Sequence, residues 1–312
     1  MFKKLNTRTL LAIFGVLLAI VIVSQLLKSK QGDRNFESQL FTMDTSRVKT
    51  IVIFPKGSKD EVKLVNADHN WTLQYKGKTY RADQSIPKGM LAELITMRAE
   101  RIAATEQSEW SKFELSEDSA THVRLEWKGK IMADFYVGKF SFQQPNTMTT
   151  YIRLANDDKV YAVSGYMAMT FNRNPNDLRD KTLVNVNAGD ITKVSFAYPA
   201  DSSFTLTREK NTWKINGEPA DSAKTAEFIS GLSRLTLYTF ADDAIQPGKQ
   251  LFTVNIEGNN FKPVQIKAFE ADTIVKYLVT STLNSGVRFD ARNGELLSRV
   301  FVGKNRFRKA YK

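Results

Sequence analysis

Residues 69–94, HNWTLQYKGKTYRADQSIPKGMLAEL, and residues 211–232, NTWKINGEPADSAKTAEFISGL, follow one plan. Each runs from a Trp through a short turn to an Ala-Asp pair and then to a helical pattern. In the later copy Asp221 sits where a helix N-cap is wanted, because its carboxylate accepts from the unpaired N–H groups of a first turn. Thr225, Phe228, Ile229, Leu232 and Leu235 then recur at helical spacing. In the earlier copy Ile86, Met90, Leu91, Leu94 and Ile95 do the same. Pro87 places the start of that helix close by, since only a first turn tolerates a missing N–H. Asp83 and Ser85 are both candidate caps.

The repetition extends outward. Val48, Ile51 and Ile53 lie on an alternating stretch, and Ile191, Val194 and Phe196 repeat it 143 residues later. EVKLVN and SFTLTR follow with period-two alternation, then the strands of Trp71 and Trp213. After each helix the chain returns to strands: THVRLEWKG, KIMADFYVG, TTYIRLAN and KVYAVSG in the first copy, LFTVNIEG, FKPVQIKAF, VKYLVTST and GVRFDARN in the second. Asn156-Asp157-Asp158 and Asn284-Ser285-Gly286 sit between consecutive strands as hairpin turns. The expected fold class is α+β, with two similar lobes at 44–186 and 187–312, each an antiparallel sheet with one packed helix. Trp71 and Trp213 are read as core beneath the helices, with a carbohydrate platform as the alternative.

The first residues divide differently. A basic head, residues 1–9 with Lys3, Lys4 and Arg8, precedes Leu10–Leu27, which carries no charge over 18 residues. Such a helix is about 27 Å long, close to the hydrocarbon thickness of a bilayer. The segment is read as a single transmembrane helix, with the positive head in the cytoplasm and the bulk of the chain periplasmic. A cleaved signal peptide competes, but bulky residues stand where a small-x-small cleavage site belongs. Residues 28–43 read as a stalk. The expected location is the bacterial inner membrane.

Composition excludes several chemistries. With no cysteine there are no disulfides, thiolate metal sites or Cys nucleophile, and with only two His, metal and triad chemistry have few candidates. His69 falls in a turn. His122, Arg124 and Glu126 alternate with the inward set Val123, Leu125 and Trp127, so they are expected on a solvated face. The acidic pairs Glu117-Asp118, Asp157-Asp158 and Asp242-Asp243 are explained by turn chemistry, whereas glycosidases need carboxyls facing a bond from opposite sides. No phosphate loop, dinucleotide fingerprint or calcium loop occurs. The protein is expected not to be an enzyme, with no metal and no cofactor. The net charge of +12 reads as solubility or as attraction to anionic lipid or acidic polymer, and no nucleic-acid-binding motif accompanies it.

Two features are candidate partner-binding sites. Arg179 and Asp180 lie in NPNDLRDKTL between the lobes, where they either meet a partner or pair within the chain to fix the junction. The tail GKNRFRKAYK places Lys304, Arg306, Arg308, Lys309 and Lys312 in nine residues without an acid, with Phe307 and Tyr311 between them. It reads as a dock for anionic lipid, glycan phosphate or an acidic protein surface, or else as a frayed terminus.

LFTMDTSRVKTIVI after an N-terminal anchor, the Trp strand, the Ala-Asp helix start and NPNDLRDKTLVNVNAGDITKVSF together resemble the DUF4340 family, a domain of unknown function. The resemblance runs from Leu40 to about Leu237. It implies a membrane-anchored extracytoplasmic protein, encoded in some members beside ABC-type transporter components of the kind associated with gliding motility. It supplies no catalytic residues. The expected function is therefore a non-enzymatic accessory or scaffold subunit of an envelope complex, possible partners being ABC transporter subunits. The alternatives are an envelope glycan-binding module or a carboxylate-dependent polymer hydrolase.

Overall fold

Tight two-residue turns close several hairpins in this chain. Asp68-His69, Lys76-Gly77 and Lys128-Gly129 each have positive φ at both positions, as does Asn216-Gly217. That backbone matches the right-handed twist of the strands it joins. The computed structural model describes residues 16–18, 21, 38–143, 147–242, 247–271, 277–292 and 295–309.

Strands β1 (Thr50–Phe54), β2 (Val62–Ala67), β3 (Asn70–Tyr75) and β4 (Lys78–Arg81) lead into helix α1 (Ser85–Thr96). Then come β5 (Ala99–Ala104), β6 (Thr121–Trp127), β7 (Lys130–Gln143), β8 (Thr147–Leu154), β9 (Val160–Ser164) and the short helix α2 (Met167–Phe171). After β10 (Thr182–Asn185) the series repeats with β11 (Ile191–Ala197), β12 (Phe204–Glu209), β13 (Thr212–Ile215) and β14 (Glu218–Pro219) before helix α3 (Ser222–Ser233). It ends with β15 (Arg234–Thr236), β16 (Gln250–Gly258), β17 (Val264–Glu270), β18 (Tyr277–Ser281), β19 (Phe289–Asp290) and helix α4 (Glu295–Val300).

The fold is α+β, built mostly of antiparallel strand pairs with few helices. One sheet has the order β4-β3-β2-β1-β6-β7-β8-β9-β5 and another β14-β13-β12-β11-β16-β17-β18-β19. The second order is the first with ten added to each strand number, except at β5. That strand closes the first sheet against β9, whereas its counterpart β15 pairs with β10.

By contacts the chain forms two compact units. The first comprises residues up to 48 with 52–59 and 89–172, the second residues 49–51, 60–88 and 173–312. In the second unit, α3 buries Phe228, Ile229 and Leu232 in the same core cluster as Trp213, Ile215 and Phe196. Asp221 caps α3 by accepting from the Lys224 N–H at 3.0 Å. Leu235, expected on that helix, belongs instead to β15 and is buried there. Phe307 is fully buried, its ring 5.1 Å from Phe228 and 5.8 Å from Phe204. The Tyr198 hydroxyl, whose pKa burial pushes up, donates to the Val302 carbonyl at 3.1 Å.

At the start of α1, Asp83 supplies the acceptor: its carboxylate takes the Ser85 N–H at 2.9 Å. Met90, Leu91 and Leu94 are buried, but Ile95 is exposed at the helix's last turn. In the first unit Phe135 packs edge-on against Phe171 of α2 at 5.6 Å. The residues opposite one another on β7 and β8 are Val137 and Ile152, then Phe140 and Thr150. Gly138 and Lys139 therefore face Tyr151 alone, which is a β-bulge. Any side chain at 138 would meet the Phe113 carbonyl 2.2 Å from its Cβ, so glycine is required at that point.

Of the expected transmembrane segment, Val16, Leu17, Leu18 and Val21 are described; they are helical and exposed. The remainder of Leu10–Leu27, the basic head and residues 28–37 of the stalk lie outside the described residues. Among the described residues no helix is long and apolar enough to cross a membrane.

Truncating Phe307 removes a fully buried aromatic ring. Phe307→Ala is expected to lower stability by about 3–5 kcal/mol, read as an earlier midpoint in urea unfolding followed by circular dichroism. A loss below about 1 kcal/mol would show that the C-terminal segment is not part of the core.

Candidate functional site

The second unit contains a buried arginine. Arg179 is 2% exposed. It follows the 3-10 turn Pro175–Leu178 in extended conformation, φ −79° and ψ 150°. Its guanidinium makes a two-pronged contact with Asp242, one prong being the Nη2 bond to Oδ1 at 3.0 Å. Nη1 also donates to Asn176 Oδ1 at 3.2 Å. The ring of Phe240 lies 3.6 Å from the guanidinium carbon and that of Tyr80 lies 4.0 Å away. This is an arginine arrangement: the planar fork meets the carboxylate in its plane while aromatic rings stack on its faces. An ammonium group cannot satisfy both.

Asp180 extends the network. Its N–H donates to the Arg81 carbonyl at 2.9 Å, and its carboxylate pairs with Arg81 Nε at 2.9 Å. The same carboxylate accepts from the Thr182 N–H, while Asn284 Nδ2 donates to the Asp180 carbonyl at 2.8 Å. Arg81 Nη1 donates to the Leu283 carbonyl at 3.1 Å. Burial holds the neighbouring Lys181 ammonium below the ordinary lysine value, with Asp177 and Asp83 acting against it. Beside this network is a depression of about 420 Å³ lined by Lys78, Thr79, Tyr80, Asp242, Gly286 and Arg288. The structure thus places Arg179 and Asp180 in contacts within the chain.

The tail begins with the same device. The Asp83 N–H donates to the Leu178 carbonyl at 2.9 Å, and the Asp221 N–H donates to the Phe307 carbonyl at 2.8 Å. Lys304–Phe307 is a four-residue 3-10 turn like Pro175–Leu178. Arg308 follows it with φ −79° and ψ 141°, and its N–H donates to Asn305 as that of Arg179 does to Asn176. Arg308 is therefore the counterpart of Arg179, but it is exposed, as is Lys309. Arg306 lies 3.7 Å from Glu227 and stands over the Phe228 ring; Lys304 is half-buried. Lys312 lies outside the described residues. The only sequence signal of this correspondence is the shared Asn-x-x-Arg of Asn176–Arg179 and Asn305–Arg308.

The remaining candidates have structural surroundings. Asp157 accepts from the Lys159 N–H and from the Tyr161 hydroxyl at 2.5 Å, while burial and that contact push the tyrosine pKa up. The Asp158 carbonyl accepts from Trp110 Nε1. Asp242 belongs to Arg179, and Asp243 lies outside the described residues. Trp71 and Trp213 are buried. Among the described residues no group of three His, Cys, Asp or Glu side chains could hold a metal ion.

The face of His122 differs from expectation. In the first unit the rings of Phe54, His122 and Tyr136 stack at 5.3 and 4.4 Å. Arg124 stands over Phe54, and Arg153 is held between Tyr136 at 3.9 Å and Trp110 at 3.6 Å. Burial pushes the Arg153 pKa down, opposed by Tyr136. His122 Nε2 lies 2.5 Å from Asp134. Three stacked rings, with a guanidinium at each end of the stack, cover what the alternation placed in solvent. With its faces stacked and one nitrogen held by a carboxylate, His122 is oriented rather than poised against a nucleophile.

Removing Asp242 leaves a desolvated guanidinium without its counter-ion. Asp242→Ala is expected to cost about 3 kcal/mol, the low end of the range for breaking a buried pair. Replacing both partners, in Arg179→Met with Asp242→Ala, should recover most of that loss. A double-mutant cycle by urea unfolding gives both values, and simple additivity would refute the pairing.

Comparison with curated proteins finds no match, and comparison with solved structures finds none either. Residues 71–251 match the family described as "Domain of unknown function (DUF4340)". The match takes in Trp71, both Ala-Asp pairs, Arg179 and Asp242, and ends before the basic tail. It covers more than half of the chain, and the protein belongs to the DUF4340 family.

Proposed function

We propose that this protein is a non-enzymatic, membrane-anchored accessory subunit of an envelope complex, with two similar α+β lobes outside the cytoplasm. Leu10–Leu27 is the anchor on this reading. An acidic surface on a membrane-protein partner is recognised by the basic C-terminal edge. The resemblance described above points to ABC-type transporter components as that partner.

The observation that carries the reading is the paired closure of the chain on Asp83 and Asp221. Two 3-10 turns present an arginine in matching backbone conformation. At the first, the arginine is taken up by a carboxylate between aromatic rings. At the second, Arg308 is exposed beside Lys309, on a backbone fixed by the Phe307 anchor. A guanidinium on a rigid support loses little freedom on binding, and so suits a bidentate contact with a partner carboxylate.

Pull-down of the full chain from detergent-solubilised membranes tests this. A permease or ATPase subunit is expected to co-purify. Reversing charge in Arg308→Glu with Lys309→Glu should reduce recovery at least about tenfold, since truncating one side of a buried charged pair costs roughly 2–5 kcal/mol. The melting temperature should stay unchanged, because both side chains are exposed. Equal recovery of the partner by the reversed variant would sink the assignment of this edge.

A further inference from the structure

From Ser38 onward, seven large apolar side chains are exposed among the described residues: Ile95, Ile131, Phe140, Phe142, Tyr166, Met169 and Tyr238. Four of them gather at one end of the first unit. Phe140 and Phe142 are 52% and 57% exposed, and Tyr166 and Met169 are 59% and 55% exposed. The bulge at Gly138-Lys139 explains the first pair. It puts Phe140 opposite Thr150 and Phe142 opposite Met148, on the face that carries Val137 and Ile152 into the core. Helix α2 packs on that same face, with the Ala168 N–H donating to Thr150 Oγ1 at 3.3 Å. Tyr166 is the residue just before α2, and Met169 lies within the helix on its exposed side. Thr96 and Arg98, next to Ile95, line one depression with Tyr166.

The described stretch that precedes β1 docks at this end. The Ala99 N–H donates to the Ser38 carbonyl at 2.7 Å. From Ala99 a single cross-strand row runs to Val163, Thr150 and Phe140. At about 4.8 Å per strand, Phe140 lies roughly 15 Å from the strand on which Ser38 docks. Ten residues separate Ser38 from Leu27, and they span about 35 Å at most.

We infer that Phe140, Phe142, Tyr166 and Met169 lie in the interfacial layer of the same bilayer that holds Leu10–Leu27, as a second, peripheral membrane contact. This rests on the anchor reading above. The short tether keeps this end of the unit near the bilayer. The residue types suit the boundary between headgroups and acyl chains, where aromatic rings concentrate. The area favours lipid over protein: four half-exposed side chains offer about 400 Å², half of the roughly 800 Å² that each partner of a stable complex contributes. An apolar patch of about 400 Å² falls in the size range of the largest patch on an ordinary monomer, which is often functional.

The absence of cysteine makes the test direct. Phe142→Cys and Tyr166→Cys in the full chain each take one nitroxide label, and Lys128→Cys, in the turn at the opposite end of β7, is the control. Each variant is reconstituted in nanodiscs of phosphatidylethanolamine and phosphatidylglycerol. Labels at 142 and 166 should lose collisions with an aqueous nickel chelate while keeping those with oxygen dissolved in lipid; the label at 128 should stay open to nickel. Nickel access at 142 and 166 equal to that at 128, with the chain still in the nanodisc, would overturn the inference and leave the anchor standing. Shielding from both nickel and oxygen would mean a protein contact and would also overturn it. A chain eluting apart from the nanodiscs would overturn the anchor reading and this inference together.

Discussion

A guanidinium taken out of water loses a hydration energy that its new partners must replace. At Arg179 both Nη groups and the ring faces are provided for, while the buried Nε has no hydrogen-bond partner, and the parts come from three segments of the chain. Tyr80 comes from β4, Asn176 from the turn just before the arginine, and Phe240 with Asp242 from the segment after β15. None of these can move alone without exposing or orphaning the charge. That constraint gives a physical reason why residues 60–88 group with 173–312 in the second compact unit and not with their sequence neighbours. Asp180 acts the same way one residue on, tying Arg81 and Asn284 to the same stretch of backbone.

The two closures on Asp83 and Asp221 show how one backbone device is put to two ends. In both, an Asp N–H at the mouth of a helix takes a carbonyl from a returning 3-10 turn, and an arginine follows in extended conformation. After Arg179 the chain continues into β10, which pairs with β15. That pairing carries the chain towards Phe240 and Asp242, so the arginine finds its partner within the fold. Arg308, by contrast, is exposed. The same geometry then leaves a charge facing outward, on a support made stiff by the burial of Phe307.

Much of this architecture was legible because it rests on local patterns. Strand alternation, the Trp strands, the Asp221 cap and the repeated order all follow from period and turn chemistry, and the strand orders of the two sheets bear out the repetition. The candidate site was legible only in part. Arg179 stood out in the sequence, but Asp242 looked like one half of a turn pair, because an ion pair across 63 residues leaves no local trace. The stack of Phe54, His122, Tyr136, Arg153 and Trp110 was hidden for a related reason. Alternation tells which face a side chain takes, not whether aromatic neighbours will cover that face. Leu235 was misplaced at a helix end, where periodicity continues past the last hydrogen-bonded turn, whereas Ile95 lies on its helix as expected but is exposed.

The bulge in β7 hid the apolar end of the first unit most effectively. Read with strict alternation, YVGKFSF sends Phe140 and Phe142 to the side of Tyr136, away from the core. One extra residue reverses this, and the rings continue the core face beyond the point where α2 covers it. The bulge is fixed in place by Gly138, where the Phe113 carbonyl approaches too closely for any side chain. An exposed phenylalanine pair on a solvated face would need no such provision. On the membrane-anchored reading proposed above, the bilayer is the medium that would receive these two rings, and the docking of Ser38 on Ala99, in the same cross-strand row as Phe140, is the observation that favours it.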